Sequence, residues 1–400
     1  MPAPEKIHIP LVIGRYSVIL YLISLSLPLY SNIFMIILSI GGIFGGIFCI
    51  NRISLSSPIL IAILAFMLSG IISSFTSVNF NRTFLLSLSF LPALLIFFLI
   101  AELFEAETAH LILKSFCLIS LIISVTALRT FCMSENTDPS VWIHEIGNPY
   151  LLVPNDLILL PILIPFLLVI IHSNPASFFG ILSVLTIILN VAVITIFQSR
   201  GCMILSIMSI CCFGLIYQSR YILPIVVIII VLIIVIDCMR GFLFISKLGG
   251  VWHSRIPAWI AAWSMFTDSP LIGHGPRSFG ELYAEYQLKL SLPEWLVVDR
   301  RIMPWAHNLY LETLAEQGII GLTIFMLMIK HILSSIFVLL KSSSEYINLL
   351  GKSVFSSLII ILVGNMFELS FIRHWFVIFF FVIISFIVTL SNFTDTEERI

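Results

Sequence analysis

The chain has 400 residues, of which 60% are hydrophobic and only 10% are charged, and its mean hydropathy is +1.13. Soluble globular proteins carry about 25% charged residues, so this composition excludes an ordinary soluble domain and indicates a polytopic membrane protein. The formal net charge of -1 excludes little, because the positions of the charges decide how a chain lies in a bilayer.

The apolar runs predict an all-α membrane protein with about twelve transmembrane helices, since a bilayer core needs about 20 apolar residues per helix. The predicted spans are 11–29, 33–50, 58–78, 84–101, 111–128, 156–171, 178–197, 202–217, 222–239, 309–340, 353–371 and 375–391. This divides the chain into helices 1 to 9 (residues 1–239), a large loop with short helices (240–308), and helices 10 to 12 with a tail (309–400). The first span lacks a signal-peptidase pattern, so we expect it to remain as an anchor.

The short loops predict that both termini are cytoplasmic. With the N-terminus inside, the inner side holds nine Lys and Arg residues and the short outer loops hold four. This bias follows the positive-inside rule and places the 240–308 loop outside. Of the eleven outward cations, loop included, nine are Arg, the residue suited to holding phosphate or carboxylate. Taken singly, Arg82, Arg129 and Arg373 are more typical of helix-end anchors to lipid headgroups.

The segment 241–321 is a polar island among apolar runs. Residues 254–266 follow a helical pattern that carries Arg255, and Gly273-His274-Gly275-Pro276 predicts a tight turn that lets the backbone approach another element. A second amphipathic helix, 278–290, presents Glu281 and Glu285 one turn apart. This spacing is more typical of a solvated face than of a pair of catalytic carboxylates.

Two further residues stand at predicted helix boundaries. Arg200 lies in a turn for which Gly201 supplies the small residue, and it either snorkels or binds an anion. His307 and Asn308 open a 32-residue apolar run, about 48 Å long at 1.5 Å per residue, which exceeds a bilayer core of about 30 Å. That helix must project or bend at Gly318. A lone His at a helix start is more often a cap than a catalyst.

Three stretches resemble the bacterial O-antigen ligase and polymerase superfamily. They are Ser199-Arg200, RIPAWIAAWSMFTDSPLIGHGPRSF from Arg255, and WAHNLYLETLAEQGIIGL from Trp305, in that order. The resemblance covers about Arg200 to Leu322, and the N-terminal half is similar only in hydropathy. It implies a metal-independent inverting glycosyltransferase of the inner membrane that uses an undecaprenyl-diphosphate-linked glycan and no cofactor.

The resemblance also implies roles for particular residues. Arg200 and Arg255 would bind the donor diphosphate, and His307 would be the catalytic base. The possible further substrate contacts are Arg277, Arg300, Arg301, Asn308 and His274. The chemistry is consistent, because a histidine suits a base and arginines stabilise a leaving diphosphate without a metal. The His residues lack zinc spacing, and the seven cysteines, odd in number and lacking C-x-x-C spacing, predict small buried hydrophobes.

The sequence therefore predicts an O-antigen ligase that transfers polysaccharide to lipid A-core on the periplasmic face. Membrane lipids are its other expected partners, and no nucleic acid is expected to bind. One alternative is an O-antigen polymerase, which differs only in its acceptor. A non-enzyme alternative is a flippase for the lipid-linked glycan. Flippases and transporters concentrate polar residues near the midplane, whereas here that region is nearly bare apart from residues such as Asn190 and Asn365.

Overall fold

Helices make up the part of the chain that the structure describes. The computed structural model describes residues 9–27, 40–41, 57–136, 138–148, 151, 153–217, 222–239, 252–289 and 303–397. Within these ranges the chain forms helices joined by turns, with no strand, which confirms the predicted all-α class.

The helices before the island are α1 (Ile9–Ser24), α2 (Pro58–Ser73), α3 (Phe80–Ser87), α4 (Leu91–Leu103), α5 (Ala109–Met133), α6 (Pro139–Glu145), α7 (Leu159–Ser173), α8 (Phe178–Ile196), α9 (Arg200–Tyr217) and α10 (Ile222–Met239). The island contains α11 (Trp252–Asp268) and α12 (Phe279–Lys289). The chain continues with α13 (Leu309–Leu340), α14 (Glu345–Gly364) and α15 (His374–Glu397). Short 3-10 turns include Leu88–Phe90, between α3 and α4, and Pro154–Ile158, before α7.

Nine helices within the described ranges are long and apolar enough to cross a membrane, and the segments Ile9–Ser24 and Val227–Ile236 are shorter apolar helices. A polytopic membrane protein is thereby confirmed. The count of about twelve stays a prediction, because the predicted span 33–50 lies almost wholly outside the described residues. The domain division and the cytoplasmic placement of the termini also stay predictions.

The predicted span 353–371 is displaced from the helix that forms. Helix α14 covers Glu345–Gly364, and the chain leaves the helix at Asn365. The apolar pattern continues through Phe371, so hydropathy alone extends the span too far. Residues 365–373 instead form a loop, because Glu368 and Arg373 find charged partners on neighbouring segments.

The bundle packs around α7 and α13. Helix α7 contacts α5, α8, α9 and α14, whereas α13 lies along α2, α14 and α15. Helix α11 packs on α13 and α12 packs on α11, so the island covers one end of the bundle. The island has a small hydrophobic core of its own that includes Ala262, Met265, Phe279, Tyr283 and Ala306.

Helix α13 bends at Gly318, one of the two outcomes that its length predicts. Gly318 has φ 65° and ψ -167°, outside the helical region, so the helical hydrogen-bond ladder is interrupted there. The loop after α11 supplies hydrogen-bond acceptors in place of the helical carbonyls. The amide of Ile319 donates to the carbonyl of Pro270 at 2.9 Å, and the amide of Ile320 donates to that of Leu271 at 3.3 Å. The bend therefore leaves these amides satisfied, as buried backbone requires.

The predicted tight turn at Gly273 to Pro276 also bonds to α13 near the bend, and we call this backbone contact between the loop 270–275 and α13 the crossing. The amide of His274 donates to the carbonyl of Ala315 at 3.0 Å, and that of Gly275 to the carbonyl of Glu316 at 2.8 Å. A Cβ on Gly273 would lie 2.3 Å from the carbonyl carbon of Glu316. The prediction of a close backbone approach is confirmed.

We expect Gly318→Ala to destabilise the folded chain by at least about 2 kcal/mol, because its backbone conformation is almost restricted to glycine. An added Cβ would also lie 2.3 Å from the carbonyl of Leu271. Thermal unfolding in detergent measures this change. Gly14→Ala, inside α1, is the control, since its Cβ would meet only the methyl groups of Leu103, at 3.1 Å. Equal unfolding temperatures for the two variants would contradict the crossing.

Candidate active site

Polar side chains from distant parts of the sequence meet at one end of the bundle. The segments that supply them are the 3-10 turn Pro154–Ile158, the start of α9, the helix α11, the loop before α13, and the loop 365–373. Each lies at or near a helix end on the face that the island covers. The structure thus brings Arg255 and His307 together, as the sequence predicts.

Glu368 lies at the centre of this cluster. Its Oε2 is 2.6 Å from Nη2 of Arg255 and accepts a hydrogen bond from Nδ2 of Asn155 at 2.9 Å. Its Oε1 lies 3.7 Å from Nδ1 of His307, which is longer than a hydrogen bond. The Glu368 side chain is only 6% exposed, so these contacts lie in a low-dielectric environment.

The environment of Glu368 favours its ionised form. Burial by itself raises the pKa of a carboxyl group, but the contacts with His307, Arg255 and Arg373 outweigh it and lower the pKa of Glu368 below its ordinary value. A charged carboxylate therefore links Arg255, on the island, to the loop after α14.

Sequence reasoning missed Glu368. The residue lies inside an apolar run that predicted a transmembrane span, and it shares no local motif with Arg255 or His307. One signal was available, because an ionisable residue within an apolar span is by default a candidate functional residue. Asn365 is the C-terminal cap of α14, where its carbonyl accepts a hydrogen bond from the amide of Leu309 at 2.7 Å.

His307 is held in an uncommon backbone conformation immediately before α13. Its φ is 53°, in the left-handed region, and Asn308 caps the helix by accepting a hydrogen bond from the amide of Leu311 at 3.1 Å. The indole Nε1 of Trp305 donates to Nδ1 of His307 at 3.1 Å. Such conformations persist only where surrounding contacts fix them, and they concentrate at functional sites.

Arg373 does not anchor the chain to lipid headgroups, as its position at a helix end had indicated. It is 5% exposed, and its Nη1 lies 2.9 Å from Oδ2 of Asp156, which is 4% exposed. Its guanidinium carbon lies 4.1 Å from the ring centroid of Trp305. Arg373 thus forms a buried ion pair and a cation–π contact beside His307. Arg82 also has a protein partner, Glu281.

Arg200 begins α9 and lies near Arg255, close enough for the two cations to repel each other. Its Nη1 is buried and has no hydrogen-bond partner among the described residues. The left-handed residue of the preceding turn is Gln198, with φ 58°, and not Gly201, which is helical. Ser199 fixes this turn by donating to Oδ1 of Asn155 at 3.0 Å.

Arg277 lies in a neighbouring polar cluster. Its backbone is left-handed, with φ 60°, and its amide donates to Oε2 of Glu316 at 2.7 Å. Its guanidinium Nη2 is 3.4 Å from both Oγ of Ser89 and the carbonyl of Phe371. Burial lowers the pKa of Arg277, against the opposing effect of Glu316 and Glu312. The amide and the guanidinium of Arg277 therefore connect the turn that follows Gly273 to α13 and to the loop 365–373.

The other predicted substrate contacts have different positions. His274 is engaged through Nε2 with the carbonyl of Met265 at 2.9 Å, and Asn308 is the cap of α13. Direct substrate contact by either stays a prediction. Arg300 and Arg301 lie outside the described residues. Glu285 is exposed and pairs with Lys289 at 2.6 Å, as expected for a solvated helix face.

Within the described ranges, no group of three or more His, Cys, Asp and Glu side chains is arranged to hold a metal ion. The charged side chains of this end of the bundle are instead Glu368 with Arg255 and Arg373 near it, Asp156 paired with Arg373, and Arg200 near Arg255, which makes three guanidinium groups and two carboxylates. The arrangement has an excess positive charge and one histidine, which suits it to bind an anion and move a proton.

One family model, described as O-Antigen ligase, matches residues 185–326. The match confirms the resemblance to the O-antigen ligase and polymerase superfamily. It covers Arg200, Arg255 and His307, whereas Asp156, Glu368 and Arg373 lie beyond it. A search of curated proteins finds no match to the chain.

We expect Glu368→Gln to remove an acid-sensitive part of the folding stability. Because folding lowers the pKa of Glu368, its ionised form stabilises the folded chain above about pH 4. This stabilisation is lost as the pH falls through the folded pKa. Unfolding temperatures of wild type and variant should therefore differ by a constant amount near neutral pH and converge below about pH 4.

Glu285→Gln is the control for this measurement, because Glu285 is exposed and its ion pair with Lys289 is screened by solvent. A gap between wild type and Glu368→Gln that stays constant into strong acid would contradict an ionised Glu368 in the folded chain.

Proposed function

We propose, from the superfamily match and from the charges around Glu368, that this chain is an O-antigen ligase. It transfers polysaccharide from undecaprenyl diphosphate to lipid A-core. Proteins of this family are glycosyltransferase-like enzymes of O-antigen processing that act on lipid-linked glycans in a membrane. We also propose that the acceptor is lipid A-core, which makes the chain a ligase and not a polymerase, and that the site lies on the periplasmic face.

The observation that carries the proposal is the pair Arg200 and Arg255. The two guanidinium groups are close enough to repel each other, and the carboxylate of Glu368 forms an ion pair with Arg255 but none with Arg200 among the described residues. The buried Nη1 of Arg200 has no hydrogen-bond partner among the described residues. A diphosphate supplies both the charge and the acceptor oxygens that this guanidinium lacks.

His307 supports the same chemistry as a base. In the proposed step, a hydroxyl of the acceptor sugar gives its proton to His307 while its oxygen bonds to the anomeric carbon of the donor. The bond from that carbon to the phosphate oxygen breaks, and its electron pair leaves with the diphosphate. Arg200 and Arg255 stabilise the charge on the leaving group, so no metal ion takes part. Attack opposite the leaving group inverts the anomeric configuration.

Glu368 has the position of an orienting group for this base. Its carboxylate is within 3.7 Å of His307 and 2.6 Å of Arg255, so it contacts both the proposed base and a proposed phosphate ligand. A carboxylate there stabilises the imidazolium that forms when His307 takes the proton. The same contact holds Arg255 near the position of the diphosphate.

The experiment that tests this function is transfer in vitro with the purified chain in nanodiscs, a defined undecaprenyl-diphosphate glycan and lipid A-core. We expect polysaccharide on lipid A-core, at a rate that a chelator does not change. His307→Ala should lower kcat by roughly 10²–10⁴-fold, the usual contribution of a general base. The fold should be retained, because Asn308 still caps α13 by accepting a hydrogen bond from the amide of Leu311.

Three results would contradict this proposal. A His307→Ala variant that works at the wild-type rate rules out the catalytic base. Longer glycan found only on the carrier lipid identifies a polymerase. Labelled donor that crosses vesicles without a new glycosidic bond identifies a flippase.

We also expect Arg200→Ala to lower kcat/KM by roughly 10²–10³-fold, the loss typical of removing one donor to a developing charge. Arg200→Lys should recover only part of this, because an ammonium lacks the planar fork of a guanidinium. Neither substitution should lower the unfolding temperature, since the buried Nη1 has no hydrogen-bond partner among the described residues.

Arg129→Ala is the matched control for Arg200→Ala, because Arg129 is an exposed arginine near the end of α5, outside the cluster. An equal loss of transfer in both variants would show that overall charge, and not the position of Arg200, governs donor binding.

A further inference from the structure

The bond between Trp305 and His307 determines which nitrogen of the imidazole carries the proton. An indole N–H is a donor only, so the Nδ1 atom that it contacts at 3.1 Å must present a lone pair. In the neutral ring the proton is then on Nε2. The two rings also pack together, with centroids 5.0 Å apart.

This tautomer is the wrong one for a base that acts through Nε2. Nδ1 faces two protein groups, Trp305 and Glu368, whereas Nε2 has no hydrogen bond to any described residue and is the nitrogen left for substrate. A protonated Nε2 cannot take a proton from an acceptor hydroxyl. The proton must first be lost from Nε2 and another gained at Nδ1.

Glu368 offers the acceptor that the other tautomer needs. Its Oε1 is buried, lies 3.7 Å from Nδ1 of His307, and has no hydrogen-bond partner among the described residues. A small movement of either side chain turns this contact into an Nδ1–H to carboxylate hydrogen bond. That bond leaves a lone pair on Nε2, the arrangement that a histidine base requires.

We propose that Trp305 is a positioning residue that competes with Glu368 for Nδ1 of His307 and holds the free enzyme in the inactive tautomer. The proposal rests on the function proposed above. Trp305 is well placed for this role because it is itself fixed. Its ring packs against the guanidinium of Arg373, which is held by Asp156 at 2.9 Å.

Donor binding shifts this competition through Arg255. In the described structure, Arg255 neutralises Glu368 at 2.6 Å. When a diphosphate accepts hydrogen bonds from Arg255, the ion pair between Arg255 and Glu368 weakens. The Glu368 carboxylate then becomes a stronger acceptor for the Nδ1–H of His307. The base is then formed only when the donor is in place.

The test is solution or solid-state NMR of the full chain in nanodiscs with ¹⁵N-labelled histidine, with the His307 signals identified by their loss in His307→Ala. Wild type without donor should show His307 protonated on Nε2. Trp305→Phe keeps an aromatic ring under Arg373 but removes the N–H. It should shift the tautomer ratio toward Nδ1–H by about tenfold, the effect of one buried hydrogen bond.

Two further arms complete the test. Undecaprenyl diphosphate added to wild type should shift the ratio in the same direction as Trp305→Phe, and Glu368→Gln should prevent both shifts. Trp142→Phe is the control, because Trp142 is a buried indole whose N–H bonds to the carbonyl of Asn136 and not to His307.

An unchanged ratio in Trp305→Phe would overturn the proposal and reduce Trp305 to a packing role, which alters only the unfolding temperature. Failure of the proposed function is distinguishable from this. If the chain transfers no glycan but Trp305→Phe still shifts the tautomer ratio, the proposed reaction is wrong and the competition between Trp305 and Glu368 for Nδ1 is supported. Undecaprenyl diphosphate that causes no shift overturns the coupling through Arg255.

Discussion

The site depends on the burial of one carboxylate. A charge at 6% exposure in this environment must be paired, and Glu368 meets that requirement with Arg255 from the island and Asn155 from the turn before α7. The ion pair therefore does more than neutralise a charge. It joins the island helix α11 to the loop 365–373, which follows α14 where hydropathy alone predicts more helix.

A second constraint concerns backbone groups at the edge of the bundle. Helix α13 is too long for the bilayer and bends at Gly318, and the amides and carbonyls near the bend bond to the loop 270–275. The same crossing attaches the island to the helix that begins beside His307. The position of the proposed base is thus set from two directions, by the crossing at Gly318 and by Asn308 at the helix start.

The described residues other than glycine with positive φ are Gln198, Arg277 and His307. Gln198 is close to Arg200 in the chain, His307 lies beside Glu368, and Arg277 lies in the neighbouring polar cluster. Each conformation is held by neighbouring contacts: Ser199 on Asn155, Glu316 on the amide of Arg277, and Trp305 on His307. Left-handed backbone at non-glycine residues is unfavourable by about 1–2 kcal/mol per residue. A concentration of such residues at one end of the bundle is typical of a site whose geometry is fixed before its ligand arrives.

The sequence by itself determined the class of protein and most helix positions, because bilayer thickness constrains apolar runs. It also selected Arg200, Arg255 and His307 as candidate site residues, because the family motifs are local. It also predicted that α13 either projects or bends at Gly318, and it predicted the close approach at Gly273. Only the tertiary structure placed Glu368, Asp156, Arg373 and Trp305 around them. The physical reason is that charge pairing is a long-range property. Glu368 lies 113 residues from Arg255 along the chain, and no local pattern distinguishes a carboxylate that pairs there from one that ends a helix.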